Sequence, residues 1–213
     1  MVNINLKIYY MVIKILGDFV NNKIIDKDFF NENIIDVANE ENSQKIYIGR
    51  IYYIAKKHNL VSLMAQAMEK LGFESDSDIW KRWLKEKNQL IYKSVLMDVE
   101  REAIQDFFEK NNIWYMLLKG MVIRKYYPAP ELREMADNDI LFDNKYSKEV
   151  YEFMTARGYK CDDYNKGYHD EYLKPPAYNF EMHRALFDKD DYESWNNYFD
   201  NVFDKLTKKS ENS

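Results

Sequence analysis

Asp137 and Asp139 stand two residues apart in Ala136-Asp137-Asn138-Asp139-Ile140-Leu141-Phe142, a stretch whose apolar second half reads as a strand. Side chains alternate between the faces of a strand, so the two aspartates share one face while Asn138, Ile140 and Phe142 share the other. Two carboxylates about 7 Å apart along a strand can converge on a hard cation. Mg²⁺ (or Mn²⁺) suits them, because such ions take oxygen ligands and commonly combine one or two carboxylates with substrate phosphates. A third carboxylate, Glu181, lies in Tyr178-Asn179-Phe180-Glu181-Met182-His183, where Phe180 and Met182 share one face and Asn179, Glu181 and His183 the other. If the two strands are neighbours, Glu181 joins the aspartates, and two ions about 3.5–4 Å apart can clamp both oxygens of a phosphoryl displacement. His183 is then placed to orient a carboxylate or the substrate; the plainer alternative is a part-buried histidine with a satisfied hydrogen bond.

The turn Lys119-Gly120 follows an apolar run and opens a short helix. A helix start offers free backbone N–H groups to an anion, and glycine lets a phosphate approach. Lys119 and Arg133 add positive charge suited to a nucleoside triphosphate (NTP). Each has an ordinary alternative: Lys119 as a solvated turn lysine, Arg133 as a partner of Glu131 or Glu134.

The elements that must position these groups follow from periodicity. Residues 1–112 read as a helical domain and residues 113–213 as a strand-and-helix core with a C-terminal helix. In the first, Leu6, Tyr9, Tyr10, Ile13 and Leu16 form one stripe, and Val61, Met64, Ala65, Met68 and Leu71 form another, closed by Gly72. The β-branched run Ile46–Ile54 is ambiguous. Ser75–Asp78 supplies cap candidates for one long helix, broken at most once, that ends near Asn111. In the second, Ile113–Leu118 reads as a buried strand and Met121–Tyr127 as a short helix stopped by Pro128. Asp137–Phe142 is a strand, Ser147–Arg157 a helix closed by Gly158, and Tyr178–Arg184 a third extended segment. Tyr164–Tyr178 reads as a loop or hairpin, and Tyr192–Leu206 as a last amphipathic helix before a frayed tail, Thr207–Ser213. That alternation points to an α/β or α+β unit.

The net charge of −5 argues against attraction of the whole chain to nucleic acid. The single cysteine, Cys161, excludes an intrachain disulfide and any zinc cluster built from cysteines, and fits a reducing, cytoplasmic setting. No run approaches the ~18 apolar residues of a membrane span, so no membrane partner is expected.

The order Leu117-Leu118-Lys119-Gly120, short helix, Tyr127-Pro128, Arg133, Asp137-Asn138-Asp139-Ile140-Leu141, helix, Gly158-Tyr159, Phe180-Glu181-Met182-His183 resembles the uncharacterised nucleotidyltransferases of the DNA polymerase β superfamily. The resemblance covers about residues 113–187. It implies an α+β, polymerase β-like core, a small mixed sheet flanked by helices, behind the N-terminal helical domain. It also implies that Gly120 is the turn glycine, that Asp137, Asp139 and Glu181 are the metal-binding and catalytic acids, and that Lys119, Gly120 and Arg133 meet the nucleotide. Met121 stands where the superfamily commonly has a second glycine or a serine, and Asn138 where it has an apolar residue; Met121 is expected to narrow the space near the phosphates. The implied activity moves a nucleoside monophosphate from an NTP to an acceptor hydroxyl, with Mg²⁺ or Mn²⁺, and releases pyrophosphate. The acceptor could be a protein, an RNA or a small molecule. The alternative is a catalytically inactive nucleotide- or protein-binding module of the same fold.

Overall fold

The computed structural model describes residues 4–24, 28, 32–35, 46–176 and 178–187. Two compact units divide the chain: Met1–Glu102 with Val122–Ala136, and Ala103–Met121 with Asp137–Ser213. This differs from a single boundary after residue 112, and burial gives the reason. Leu132 is buried in the first unit's core, with Tyr127 and Ala129 packed against it, so that segment returns to the helical part.

The first unit contains α1 (Ile4–Val20), the two-residue strands β1 (Ile34–Ile35) and β2 (Ile46–Tyr47), α2 (Ile48–Lys57) and α3 (Val61–Lys70). It also takes the longer part of α4 (Asp78–Lys110). Helix α1 is apolar around most of its circumference, so two stripes at helical spacing compete for the core. The buried one is Ile8, Met11, Val12, Ile15 and Phe19, whereas Leu6, Tyr10 and Ile13 are exposed. The stripe read from sequence marks the helix correctly, but of its members Leu16 packs against the core while Leu6, Tyr10 and Ile13 face outward, because periodicity alone does not say which of two apolar faces meets a neighbour. The ambiguous run resolves as β2, parallel to β1, followed at once by α2. Val61, Met64, Ala65, Met68 and Leu71 are buried as their spacing predicts. Gly72 leaves the helix with φ 78°, the left-handed conformation glycine adopts without steric cost, and the Phe73 N–H reaches back to the Met68 carbonyl at 3.0 Å. Helix α4 is unbroken over 33 residues. Ser77 Oγ accepts from the Trp80 N–H at its start, and Trp83 donates its indole N–H to the Val61 carbonyl at 3.0 Å.

The second unit is built on a four-stranded mixed sheet. Its strands are β3 (Tyr115–Leu117), β4 (Asn138–Phe142), β5 (His169–Lys174) and β6 (Tyr178–His183), in the spatial order β3-β4-β6-β5. Pairing is antiparallel for β3–β4 and β5–β6 and parallel for β4–β6. The one-turn helix α5 (Gly120–Ile123) follows β3, and α6 (Ser147–Ala156) follows β4. The loop or hairpin expected over Tyr164–Tyr178 contains a full strand, β5. One face of the sheet is apolar: Ile140, Phe142, Tyr172, Phe180 and Met182 are all buried. Phe108 stacks on Tyr115 and Phe142 with ring centroids 5.1 and 6.0 Å away, and Tyr159 meets Phe180 edge-on at 5.8 Å. The architecture is thus α+β, a small mixed sheet with helices, as expected. The helix expected over Tyr192–Leu206 and the tail Thr207–Ser213 lie outside the described residues. No helix among the described residues is long and apolar enough to cross a membrane.

The β5–β6 hairpin is held by a buried ion pair. The side chains of Arg184 and Asp170 are 5% and 2% exposed, Arg184 also donates to the Gly167 carbonyl, and Asp170 accepts from the Asn165 N–H at 2.7 Å. Removing one partner of such a pair leaves an uncompensated buried charge, at a cost of about 3–5 kcal/mol. Arg184→Met is expected to lower unfolding free energy by about that amount in chemical denaturation; a loss below about 1 kcal/mol, the range of exposed pairs, would contradict this.

Candidate active site

The other face of the sheet carries the candidate site residues. Parallel pairing sets Asp139 of β4 directly opposite Glu181 of β6, and Leu141 opposite His183. Antiparallel pairing then sets His169 of β5 opposite His183. Residues opposite one another in neighbouring strands point to the same side, so Asp139, Glu181, His183 and His169 share this face.

Their side chains meet. His183 Nε2 lies 2.9 Å from Asp139 Oδ1 and 3.4 Å from Glu181 Oε2. Lys119 Nζ donates to the same Asp139 Oδ1 at 2.6 Å. His169 Nε2 lies 4.0 Å from Glu181 Oε2, with its ring centroid 5.1 Å from that of His183. Asp139 and His183 are buried and Glu181 is partly so. Backbone bonds fix Lys119 beside them: the Leu118 N–H bonds to the Asp139 carbonyl at 3.0 Å, and the Met121 N–H bonds to the Leu118 carbonyl at 3.1 Å. The left-handed residue of this turn is Lys119 itself, with φ 45°, and Gly120 opens α5. Non-glycine residues seldom adopt that conformation.

The electrostatics follow from these contacts. Burial works to raise the Asp139 carboxyl, but hydrogen bonds from His183 and Lys119 override it and hold it at about 2, against an ordinary 3.8. Glu181 is pushed up, first by burial and then by the charges of Asp139 and Asp137, with His169 and His183 opposing. The bond to Asp139 raises the Lys119 ammonium.

Among the described residues, Asp139, Glu181 and His183 form the group able to hold a metal ion, each offering one atom within 4.8 Å of the others. Adjacent ligands around a cation with bonds of about 2.1 Å are separated by about 3 Å. The 2.9 and 3.4 Å separations both run to His183 Nε2, so they meet that requirement with the histidine as a ligand; the two carboxylates are themselves suitable donors for a hard cation. His183 Nδ1 is buried and has no hydrogen-bond partner among the described residues. A metal-bound histidine ordinarily gives its other ring N–H to a partner, so His183 fits better with its proton on Nε2, bridging the two carboxylates.

Asp137 stands just before β4, partly buried and outside that three-atom group. The ladder begins at Asn138, so strand alternation does not dictate the Asp137 direction, though its charge still acts on Glu181 and Lys119. Asn138 points to the opposite face, fully buried, and donates to the Asn179 carbonyl at 3.4 Å. Met121, expected to narrow the space near the phosphates, is buried. Arg133 belongs to the first unit, where its guanidinium donates to the Tyr127 hydroxyl at 3.4 Å and lies over that ring. Glu134 accepts from the Ser62 N–H at 2.8 Å. His169 is the residue sequence reasoning missed; it reads as an ordinary surface histidine until β5 is known to be a strand in register with β6.

A family model described as uncharacterised nucleotidyltransferase matches residues 44–212. The chain belongs to that family. Among solved structures the chain is similar to the lincosamide antibiotic adenylyltransferase LnuA, solved with lincomycin bound. Identity is 24% with a TM-score of 0.33, over 39% of this chain and 52% of that one. The match spans about half the length of LnuA, and at that score it says nothing about substrate. Comparison with curated proteins gives no match.

A depressed carboxyl contributes stability that is present above its unfolded pKa and lost as pH falls through its folded value. Asp139 is therefore expected to stay ionised in divalent-free buffer until about pH 2. Side-chain carboxyl NMR would show this directly, and a midpoint at or above 3.8 would contradict the hydrogen-bonded geometry.

Proposed function

We propose that the second unit moves a nucleoside monophosphate from an NTP to the hydroxyl of an acceptor and releases pyrophosphate. The observation that carries this reading is the pairing of Asp139 with Glu181 across parallel strands, their carboxylates joined through His183. Membership of the nucleotidyltransferase family supports it.

In this reading Asp139 and Glu181 hold a divalent cation, Mg²⁺ or Mn²⁺, with Asp137 adding negative charge beside them. A bound cation supplies charge neutralisation at the phosphates. Lys119 and the backbone at Gly120 receive the triphosphate, and His183 fixes the carboxylate directions through its Nε2–H. The acceptor oxygen bonds to the α-phosphorus, the bond from that phosphorus to the pyrophosphate oxygen breaks, and a carboxylate of the group takes the hydroxyl proton. Catalysis comes mainly from positioning and charge compensation. These residues lie in the second unit; Arg133, expected at the nucleotide, belongs to the first.

Incubation with labelled ATP, GTP, CTP and UTP, Mg²⁺ or Mn²⁺, and protein, RNA and small-molecule acceptors is expected to yield pyrophosphate and a labelled acceptor. Asp139→Asn should abolish both with the circular dichroism spectrum unchanged. His183→Ala is expected to reduce activity roughly 10–100-fold, the usual cost of losing a group that orients metal ligands. Nucleotide binding without turnover under every condition would leave only a binding module, and release of inorganic phosphate or cleaved nucleic acid would indicate a hydrolase.

A further inference from the structure

We infer that Lys119 competes with the divalent cation for Asp139 and is drawn away by the triphosphate, so that cation and nucleotide bind cooperatively. The inference rests on the reading of this cluster as a nucleotidyltransferase centre, and it concerns how that centre is loaded. Lys119 Nζ lies 2.6 Å from Asp139 Oδ1, the oxygen that also receives His183 Nε2 at 2.9 Å. That oxygen belongs to the three-residue group able to hold a cation. An ammonium and a divalent cation on one carboxylate oxygen repel each other strongly in a poorly solvated site. The cation therefore binds Asp139 at full strength only when the ammonium leaves.

The two partners differ in freedom. The Asp139 side chain is 4% exposed and fixed in a strand, whereas the Lys119 side chain is 63% exposed on a turn. Asp139 must stay, and Lys119 can swing. Its backbone holds the left-handed conformation at φ 45°, pinned by the Leu118 N–H to the Asp139 carbonyl. Strain of this kind persists where the surroundings impose it, and here they place the root of the lysine beside the aspartate. A triphosphate arriving at Gly120 gives the ammonium an alternative anion. Because coupling between two ligands is reciprocal, the nucleotide tightens the cation as much as the cation tightens the nucleotide.

Calorimetric titration of the protein with Mn²⁺, without nucleotide, tests this against Lys119→Met and Lys119→Arg. Removing the charge in Lys119→Met is expected to tighten Mn²⁺ binding roughly tenfold, while Lys119→Arg keeps the weaker wild-type affinity. A non-hydrolysable triphosphate should then improve Mn²⁺ affinity by a larger factor in wild type than in Lys119→Met. Unchanged or weaker Mn²⁺ binding by a folded Lys119→Met protein would overturn the competition and leave the nucleotidyltransferase reading standing. Failure of both wild type and Lys119→Met to bind Mn²⁺ would overturn both. Tightening in Lys119→Met supports the competition whether or not turnover is ever observed.

Discussion

A buried carboxylate needs partners, and Asp139 organises the second unit by obtaining them. Its side chain is almost wholly removed from water, where an isolated charge is prohibitively costly. The compensation comes from His183, on the strand that pairs with β4, and from Lys119, on the turn after β3. Those donors reach Asp139 only if β4 has β3 on one side and β6 on the other. Stabilising one charge and bringing three segments together are thus the same requirement. Breaking the order β3-β4-β6 would strand the carboxylate.

The parallel pairing of β4 with β6 is the less obvious part of the arrangement. Parallel neighbours cannot be joined by a tight turn; the chain needs a crossover of a dozen or more residues. Here α6 and β5 both lie between the two strands in sequence. The hairpin partner β5 is then placed outside β6, which puts His169 opposite His183 and within 4.0 Å of Glu181. A second histidine is delivered to the acidic face by topology alone. The Arg184–Asp170 pair holds that hairpin from the other side, since Asp170 alternates with His169 and points the opposite way.

Much of this was legible because strand alternation is a strong constraint. Asp139 with Ile140 and Phe142, and Glu181 with Phe180 and Met182, each divide into one polar and one apolar set, and the structure places those sets on opposite faces of one sheet. What stayed hidden depended on neighbours. His169-Asp170-Glu171-Tyr172-Leu173-Lys174 is mostly polar, with Tyr172 as its only fully buried apolar residue, so it lacks the apolar run that marks a strand. Helix α1 offered two apolar faces, and only its packing partners choose between them. The return of the segment around Leu132 to the helical core depends on its packing partners, which sequence order does not show. Gly120 suggested where the turn lies, yet the unusual dihedral is one residue earlier, at Lys119.

That displacement changes what the turn can do. A glycine in the left-handed position would satisfy the backbone and contribute no charge. With lysine there, the same residue sets the chain reversal and supplies the ammonium that meets Asp139. Backbone geometry and site electrostatics are therefore tied to one side chain. The tie also explains how a carboxylate can be buried beside Glu181, itself negative when ionised. The His183 and Lys119 hydrogen bonds keep Asp139 ionised, while Glu181 is pushed up, first by burial and then by the negative charges of Asp139 and Asp137. Two acids of similar intrinsic strength are driven apart by position: hydrogen bonds from His183 and Lys119 hold Asp139 down, and burial pushes Glu181 up.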